Sequence, residues 1–317
     1  FSWRAIFYIN IPIGLLTATG VFFLLKGSKA DITRQETFDW SGAVILAVLL
    51  GSLLMAITQA SDWGYFSTPT LLLLALCILA AACLLYVETR VRHPILSRSL
   101  FEIRLFSMPI MAAVILFVCL FSLVFLMPFY LIHPRGYPVN TVGGIMACIF
   151  VALFVVSPFS GALFDRIGSR FLYTLAMALI ACSLFSLSSI PVKASFFSII
   201  WRLSLAGIGT AIFLPPNSAA AFSAVTPENR GVASATVAAA RNLGMVLGVA
   251  IAGAIFNSVF YNLSNGLSLK EYQPALEGIF MDSFHFVMKA GGFIAILGMI
   301  ISFLRGPENV KVGSRQL

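Results

Sequence analysis

Nine long runs of nearly uncharged residues constrain this chain more than any other feature. They cover approximately residues 5–25, 41–60, 70–88, 108–131, 141–164, 171–190, 197–222, 232–257 and 284–304. A helix of about 20 apolar residues crosses roughly 30 Å of hydrocarbon. Lipid offers no partner to an open backbone amide, so such runs are expected as helices, and strand-like alternation is absent. Hydrophobic residues make up 60% of the chain and Phe alone fills 29 positions, more apolar surface than a soluble domain can hide. The expected fold class is an all-α polytopic membrane protein embedded in a lipid bilayer. Trp3, Trp40, Trp63 and Trp201 all fall near expected span ends, where amphipathic rings settle.

The net charge of +8 sits in short loops, which argues for membrane orientation and against nucleic acid as a partner. One set of span ends carries Lys26, Lys29, Arg34, Arg90, Arg92, Arg98, Arg104, Arg166, Arg170, Arg230, Arg305, Lys311 and Arg315. The other carries Arg4, Arg135, Lys193 and Lys270. Cations concentrate on the cytoplasmic side, so the first set is expected inside a plasma (inner) membrane, with a cytoplasmic C-terminus. All five cysteines lie in apolar runs with no CxxC pair, and the three histidines are isolated, so neither disulfide nor metal site is expected.

The stretch GALFDRIGSR, Gly161 to Arg170, crowds an acid and two arginines between apolar runs. As a turn closing two helices at the membrane surface it has a ready physical reading. Gly161 permits close approach of a neighbouring helix, and Asp165 is placed to cap or face the positive end of the next one. Arg166 and Arg170 favour the cytoplasmic face, and Gly168 permits a left-handed turn. An ordinary inside loop with a good cap would look the same.

The spacing G-x-L-x-D-R-x-G-x-R resembles the cytoplasmic-loop signature of the major facilitator superfamily. FSWRAIFYINIPIGLL (Phe1 to Leu16) resembles the start of the sixth span of the fourteen-span, EmrB/QacA-type drug:proton antiporters. Gly207 to Phe256 resembles their twelfth and thirteenth spans, and FDWSGA and DWGYFSTP the flanks of their central hairpin. The resemblance implies a facilitator helical bundle with nine transmembrane helices here, corresponding to spans six to fourteen. Residues 1–25 would be the last helix of an N-terminal half, 26–40 a cytoplasmic loop, and 41–88 the inserted two-helix hairpin. Residues 89–107 would be a cytoplasmic linker, 108–304 a six-helix C-terminal transport half, and 305–317 a cytoplasmic tail. The N-terminal half is then an expected partner, and an opening on Phe1 fits the C-terminal two-thirds of a longer protein.

Within residues 108–304 two inverted three-helix repeats are expected. Pro128, Pro158, Pro215 and Pro216 remove backbone donors and are expected to kink their spans, either for shape or to flex a cavity-lining helix. Asn217 adds an amide beside the proline pair. Gly231, Gly244 and Gly248 mark a span built for close helix contact. Arg241, followed by Asn242, falls near mid-membrane, where a charge costs at least roughly 2.5–3.5 kcal/mol. It either lines a wet cavity or reaches a surface through a shifted span. Arg202 lies nearer an outer end, and Gly207 stands five residues on where the family's R-x-x-x-G motif has four.

Phe125, Met127, Phe129 and Tyr130 offer an aromatic and aliphatic surface to an amphipathic organic substrate, or else face lipid. Residues 258–283 read as an outer loop with a short interfacial helix presenting Leu269, Tyr272, Leu276, Ile279 and Phe280. All twelve acids lie in loops, at span ends or in the tail. No cofactor is expected; a proton gradient would supply energy in the full-length protein, through acids outside this chain. Paired polar residues for an enzyme are absent and the tail is short for a receptor domain. A transporter for one defined metabolite is the alternative to drug export, with a non-transport membrane scaffold behind it. Any periplasmic adaptor is left open.

Overall fold

A computed structural model describes residues 5–24, 39–64, 66–88, 98–226, 229–267 and 273–304. The chain divides into two compact units, residues 1–38 and 39–317. The first contains α1 (Ala5–Tyr8) and α2 (Asn10–Leu24). The second contains α3 (Trp40–Trp63), α4 (Thr68–Glu88), α5 (Arg98–Glu102), α6 (Arg104–Ile132), α7 (Val139–Ile167) and α8 (Ser169–Leu187). It continues with α9 (Phe196–Ser223), α10 (Arg230–Leu263) and α11 (Glu277–Leu304). No strand occurs among the described residues.

Among the described residues eight helices are long and apolar enough to cross a membrane: α3, α4 and α6 to α11. The ninth expected span, residues 5–25, is interrupted at Ile9, leaving a shorter apolar helix at Asn10–Phe23. Pro12 has no N–H for the Tyr8 carbonyl, which is where α1 ends. The expected interfacial helix is also corrected. α10 runs on to Leu263, and a 3-10 turn at Pro274–Leu276 leads directly into α11. Ile279 and Phe280 therefore belong to the first turns of α11, where Phe280 is fully buried; Leu269 and Tyr272 lie outside the described residues. Apolar residues at helical spacing continue across that boundary, so periodicity alone does not separate the elements.

In the second unit, α3 is capped by Asp39, whose carboxylate accepts from Gly42 N at 2.8 Å and Ser41 Oγ at 2.6 Å. These bonds hold its pKa below the usual carboxylate range. Gly64, at φ 96°, closes α3, and Thr70 Oγ1 donates to its carbonyl. The α3–α4 hairpin lies along α10 through α3.

The last six helices pack in a pattern that survives exchange of α6-α7-α8 with α9-α10-α11. The α6–α10 seam has its counterpart in α9–α7, and α8–α9 in α11–α6, while α8–α11 and α6–α9 map onto themselves. Three successive antiparallel spans begin and end on opposite sides, so the second triplet is inverted relative to the first. Glycines on the second triplet bring the backbones together. A Cβ at Gly248 would lie 2.5 Å from the Val118 carbonyl on α6, and one at Gly209 would lie 2.8 Å from the Ala176 carbonyl on α8. Gly207 meets the Ile149 carbonyl, Gly292 meets Phe185, and Gly298 meets Ile115 and Met177.

Candidate functional site

One end of the six-helix group gathers the charged turn. α7 continues to Ile167, so Asp165 lies in the last turn of α7 and is not the residue that caps α8. The capping position belongs to Gly168, which has no side chain to offer; the Asp165 side chain lies outside what is described. Gly168 adopts φ 82°, ψ 166°, a region open essentially to glycine, and its N–H bonds the Phe164 carbonyl at 3.0 Å. It thus joins two helices with a single residue, in a mirror-extended conformation where a left-handed helical one was expected. Arg166 is exposed in the last turn of α7, where the helix dipole favours a cation. The Arg170 guanidinium lies 4.3 Å from the Phe303 ring centre, and Arg104 donates to the Leu304 carbonyl. Two arginines therefore hold the C-terminus of α11. Gly161 was expected to admit a neighbouring helix, but a Cβ there would meet open space among the described residues.

The opposite end is tied by polar side chains to the loop between α8 and α9. The Tyr130 hydroxyl donates to the Pro191 carbonyl at 3.0 Å, its ring stacks on Phe284, and the residue is fully buried. The expected cavity role for Tyr130 is thus corrected to a core role, and Met127 is equally buried. A hydroxyl needs an acceptor away from water, and the loop carbonyl is its acceptor. Phe129 remains half-buried between Phe125 and His133. His285 Nε2 lies 2.8 Å from the Ile190 carbonyl. Arg202 donates to the Ser186 carbonyl at 3.0 Å and to Ser198, so its head is anchored near the C-terminus of α8.

Between the ends stands Arg241. Its guanidinium lies 5.6 Å from the ring centre of Phe117, at the midpoint of the 29-residue α6. Its Nε is buried without a hydrogen-bond partner, while the residue as a whole is half-buried. Asn242 beside it is exposed. Gly244 and Gly248 turn inward onto Val114, Phe117 and Val118, and Ser122 Oγ donates to the Gly248 carbonyl at 3.0 Å. Gly231, expected with them as a contact glycine, is exposed with open space around it, because it falls on the side of α10 shared with Ala235, Ala238 and Asn242, while Ala233 beside it is buried. α9 runs as one helix through Pro215 and Pro216. Asn217 is 2% exposed and its Oδ1 has no partner. Lys289, which the sequence reading does not single out, is exposed near the middle of α11. A lysine inside an apolar run is the same signal that singles out Arg241.

An open groove of about 510 Å³ runs between α7 and α9, lined by Gly144, Ala147, Cys148, Val151, Ile200 and Ser204 among others. A smaller one of about 200 Å³ lies between α3 and α4.

The family model for the Major Facilitator Superfamily matches residues 1–249 and, in a second placement, 140–316. The chain belongs to this superfamily. Multidrug resistance protein Stp of Mycobacterium tuberculosis is 28% identical over 254 residues, covering 80% of this chain and 47% of that protein. Multidrug transporter protein MdtP of Bacillus subtilis is 24% identical over 316 residues, covering 98% and 57%. Riboflavin transporter RibZ of Clostridioides difficile is 25% identical over 264 residues, covering 83% and 56%. This facilitator chain thus spans about half the length of the curated relatives it matches.

The facilitator's described residues include no group of three or more His, Cys, Asp or Glu able to hold a metal ion. Described acids occupy helix ends or nearby turns, such as Asp39 before α3, Glu102 at the end of α5 and Glu277 at the start of α11. The charged groups at mid-helix, Arg241 and Lys289, are basic.

Proposed function

We propose that this chain is the C-terminal part of a fourteen-span exporter that moves drugs or amphipathic organic compounds against a proton gradient by alternating access. The observation that carries the reading is the pair of faces on α7 and α10 left uncovered by the described residues of the second unit. Gly143, Gly144 and Gly161 on α7 and Gly231 on α10 have open space beside them, whereas the glycines of the inner seams are tightly enclosed. α7 and α10 are counterparts in the exchange of triplets. A second six-helix unit related by a further repeat would close against both at once. Small residues are what such a seam requires in lipid. The relatives' length leaves room for that unit. Its spans would also carry the carboxylates for proton coupling, since this chain has none at mid-helix. The Arg104–Arg170 end would face the cytoplasm, following the excess of loop cations there.

The test is made in everted membrane vesicles with the full-length protein. After respiration acidifies the interior, several unrelated amphipathic compounds should each dissipate the pH difference. Proteoliposomes of residues 1–317 alone should show no pH-driven flux. Antiport by residues 1–317 alone, or a full-length protein inert to every compound, refutes the reading. The similarity to a riboflavin transporter supports a second reading, export or uptake of one metabolite. A response to a single compound class would favour it.

A further inference from the structure

We propose that Arg241 binds the carboxylate, or an equivalent oxyanion, of an amphipathic substrate, so that this half of the carrier selects organic anions. The inference rests on the transport reading above and names its substrate class. A guanidinium carries five N–H donors and cannot shed its charge, so it requires an acceptor wherever it leaves water. At Arg241 the chain supplies an aromatic face, the Phe117 ring, and leaves Nε buried without a partner. A ring face offsets part of the cost of the charge but accepts no directed hydrogen bond from Nε in this geometry. No ion pair forms there among the described residues, and the chain's acids stand near helix ends. Nε itself is closed off, so the donors an oxyanion from outside the chain can reach are the terminal nitrogens of half-buried Arg241, which make no hydrogen bond among the described residues.

Access fits that demand. α10 turns Gly244 and Gly248 inward, while Ala238, Ala239, Asn242 and Val246 lie on its exposed side. Arg241 falls between the two faces, and the alanines leave space in front of it. Asn242 adds an amide on the same side. The apolar part of a ligand would meet the half-buried Phe121, whose ring centre lies 6.3 Å from that of the buried Phe117. Positive charge at mid-membrane with no compensating acid attracts anions and repels organic cations, most strongly where water is scarce.

The experiment uses the full-length protein in lipid nanodiscs and three labelled probes of matched shape: 1-naphthoate, 1-naphthamide and 1-naphthylmethylamine. Wild-type protein should bind naphthoate best. Arg241→Gln should weaken naphthoate by about ten- to a hundred-fold, the range set by one charge-assisted hydrogen bond. The amide should be little affected, the amine should bind as well or better, and Arg241→Lys should retain an intermediate naphthoate affinity. Preference for the amine in wild type, no binding of naphthoate, or equal naphthoate binding by Arg241→Gln overturns the proposal. So does an equal loss of all three probes with a lowered unfolding temperature, which would mark a carboxylate side chain of the other half as the partner. Substrate-driven collapse of the pH difference in vesicles is scored separately, so the transport reading can stand while this inference falls.

Discussion

Gly248→Ala should destabilise the protein although alanine is the better helix former. In an open helix the exchange is worth about 1 kcal/mol in favour of alanine. At position 248 the new Cβ would stand 2.5 Å from the Val118 carbonyl oxygen and 3.0 Å from Val118 Cα. A comfortable C···O approach is about 3.3 Å or more, so α6 and α10 must part by most of an ångström or slide. Both atoms belong to backbone, so no rotamer change relieves them. Overfilling a tight contact costs about 1–3 kcal/mol, and a gap of that size forfeits a quarter to a half of each dispersion contact along the seam. The Ser122 bond to the Gly248 carbonyl would lengthen with it. The expected net loss is about 1–2 kcal/mol, or roughly 1.5–3 °C in unfolding temperature for a chain of this length. Gly51→Ala on the exposed side of α3, where nothing lies within 4 Å, is the control and should be neutral or stabilising. The assay is thermal alkylation of the buried Cys119, which becomes reactive as the helices separate and is read by peptide mass spectrometry. If Gly248→Ala melts at or above wild type while Gly51→Ala behaves as expected, the α6–α10 seam is not drawn tight by this glycine.

Three other perturbations have definite signs. Gly168→Ala places a Cβ at φ 82°, ψ 166° and should cost about 1–3 kcal/mol, seen as a lower melting temperature and faster proteolysis between α7 and α8. Asp39 has its pKa depressed in the folded state by the Gly42 and Ser41 bonds. Its stabilisation is therefore full above the unfolded value, near 3.8, and is lost as pH falls through the folded one. Asp39→Asn should flatten that acid limb in a pH series of unfolding temperatures, and Asp39→Ala should cost about 1 kcal/mol at neutral pH. Tyr130→Phe removes the donor to Pro191 and should speed amide exchange in the α8–α9 loop, at about 0.5–1.5 kcal/mol. Unchanged exchange would mean that the loop is held by other contacts, His285 first among them.

Apolar run length carried the helices of the second unit with errors of a few residues, because a lipid-spanning helix is specified by composition over about 20 positions. The same signal overcounted at residues 5–25, where Pro12 coincides with a break that hydropathy does not register. It also misread 258–283, where two long helices extend past the apolar stretch. The charged turn was legible as a turn, and Gly168 as its pivot, since positive φ is a local demand. The capping role of Asp165 was not, because α7 runs on past it.

Local chemistry along the chain determined that this protein is a bundle of membrane helices, which ends carry its cations, and that Arg241 is anomalous. Those properties depend on solvent and on neighbours within one or two turns. Which glycines serve as contacts depended on the fold alone: Gly244 and Gly248 lie against α6 while Gly231 and Gly161 face open space. Tyr130 and Phe129 are adjacent in sequence, yet one is fully buried and the other half-exposed. In lipid every helix is apolar on all sides, so the hydrophobic pattern that marks the inner face of a soluble helix is erased. Only the approach of a second helix distinguishes one face from another.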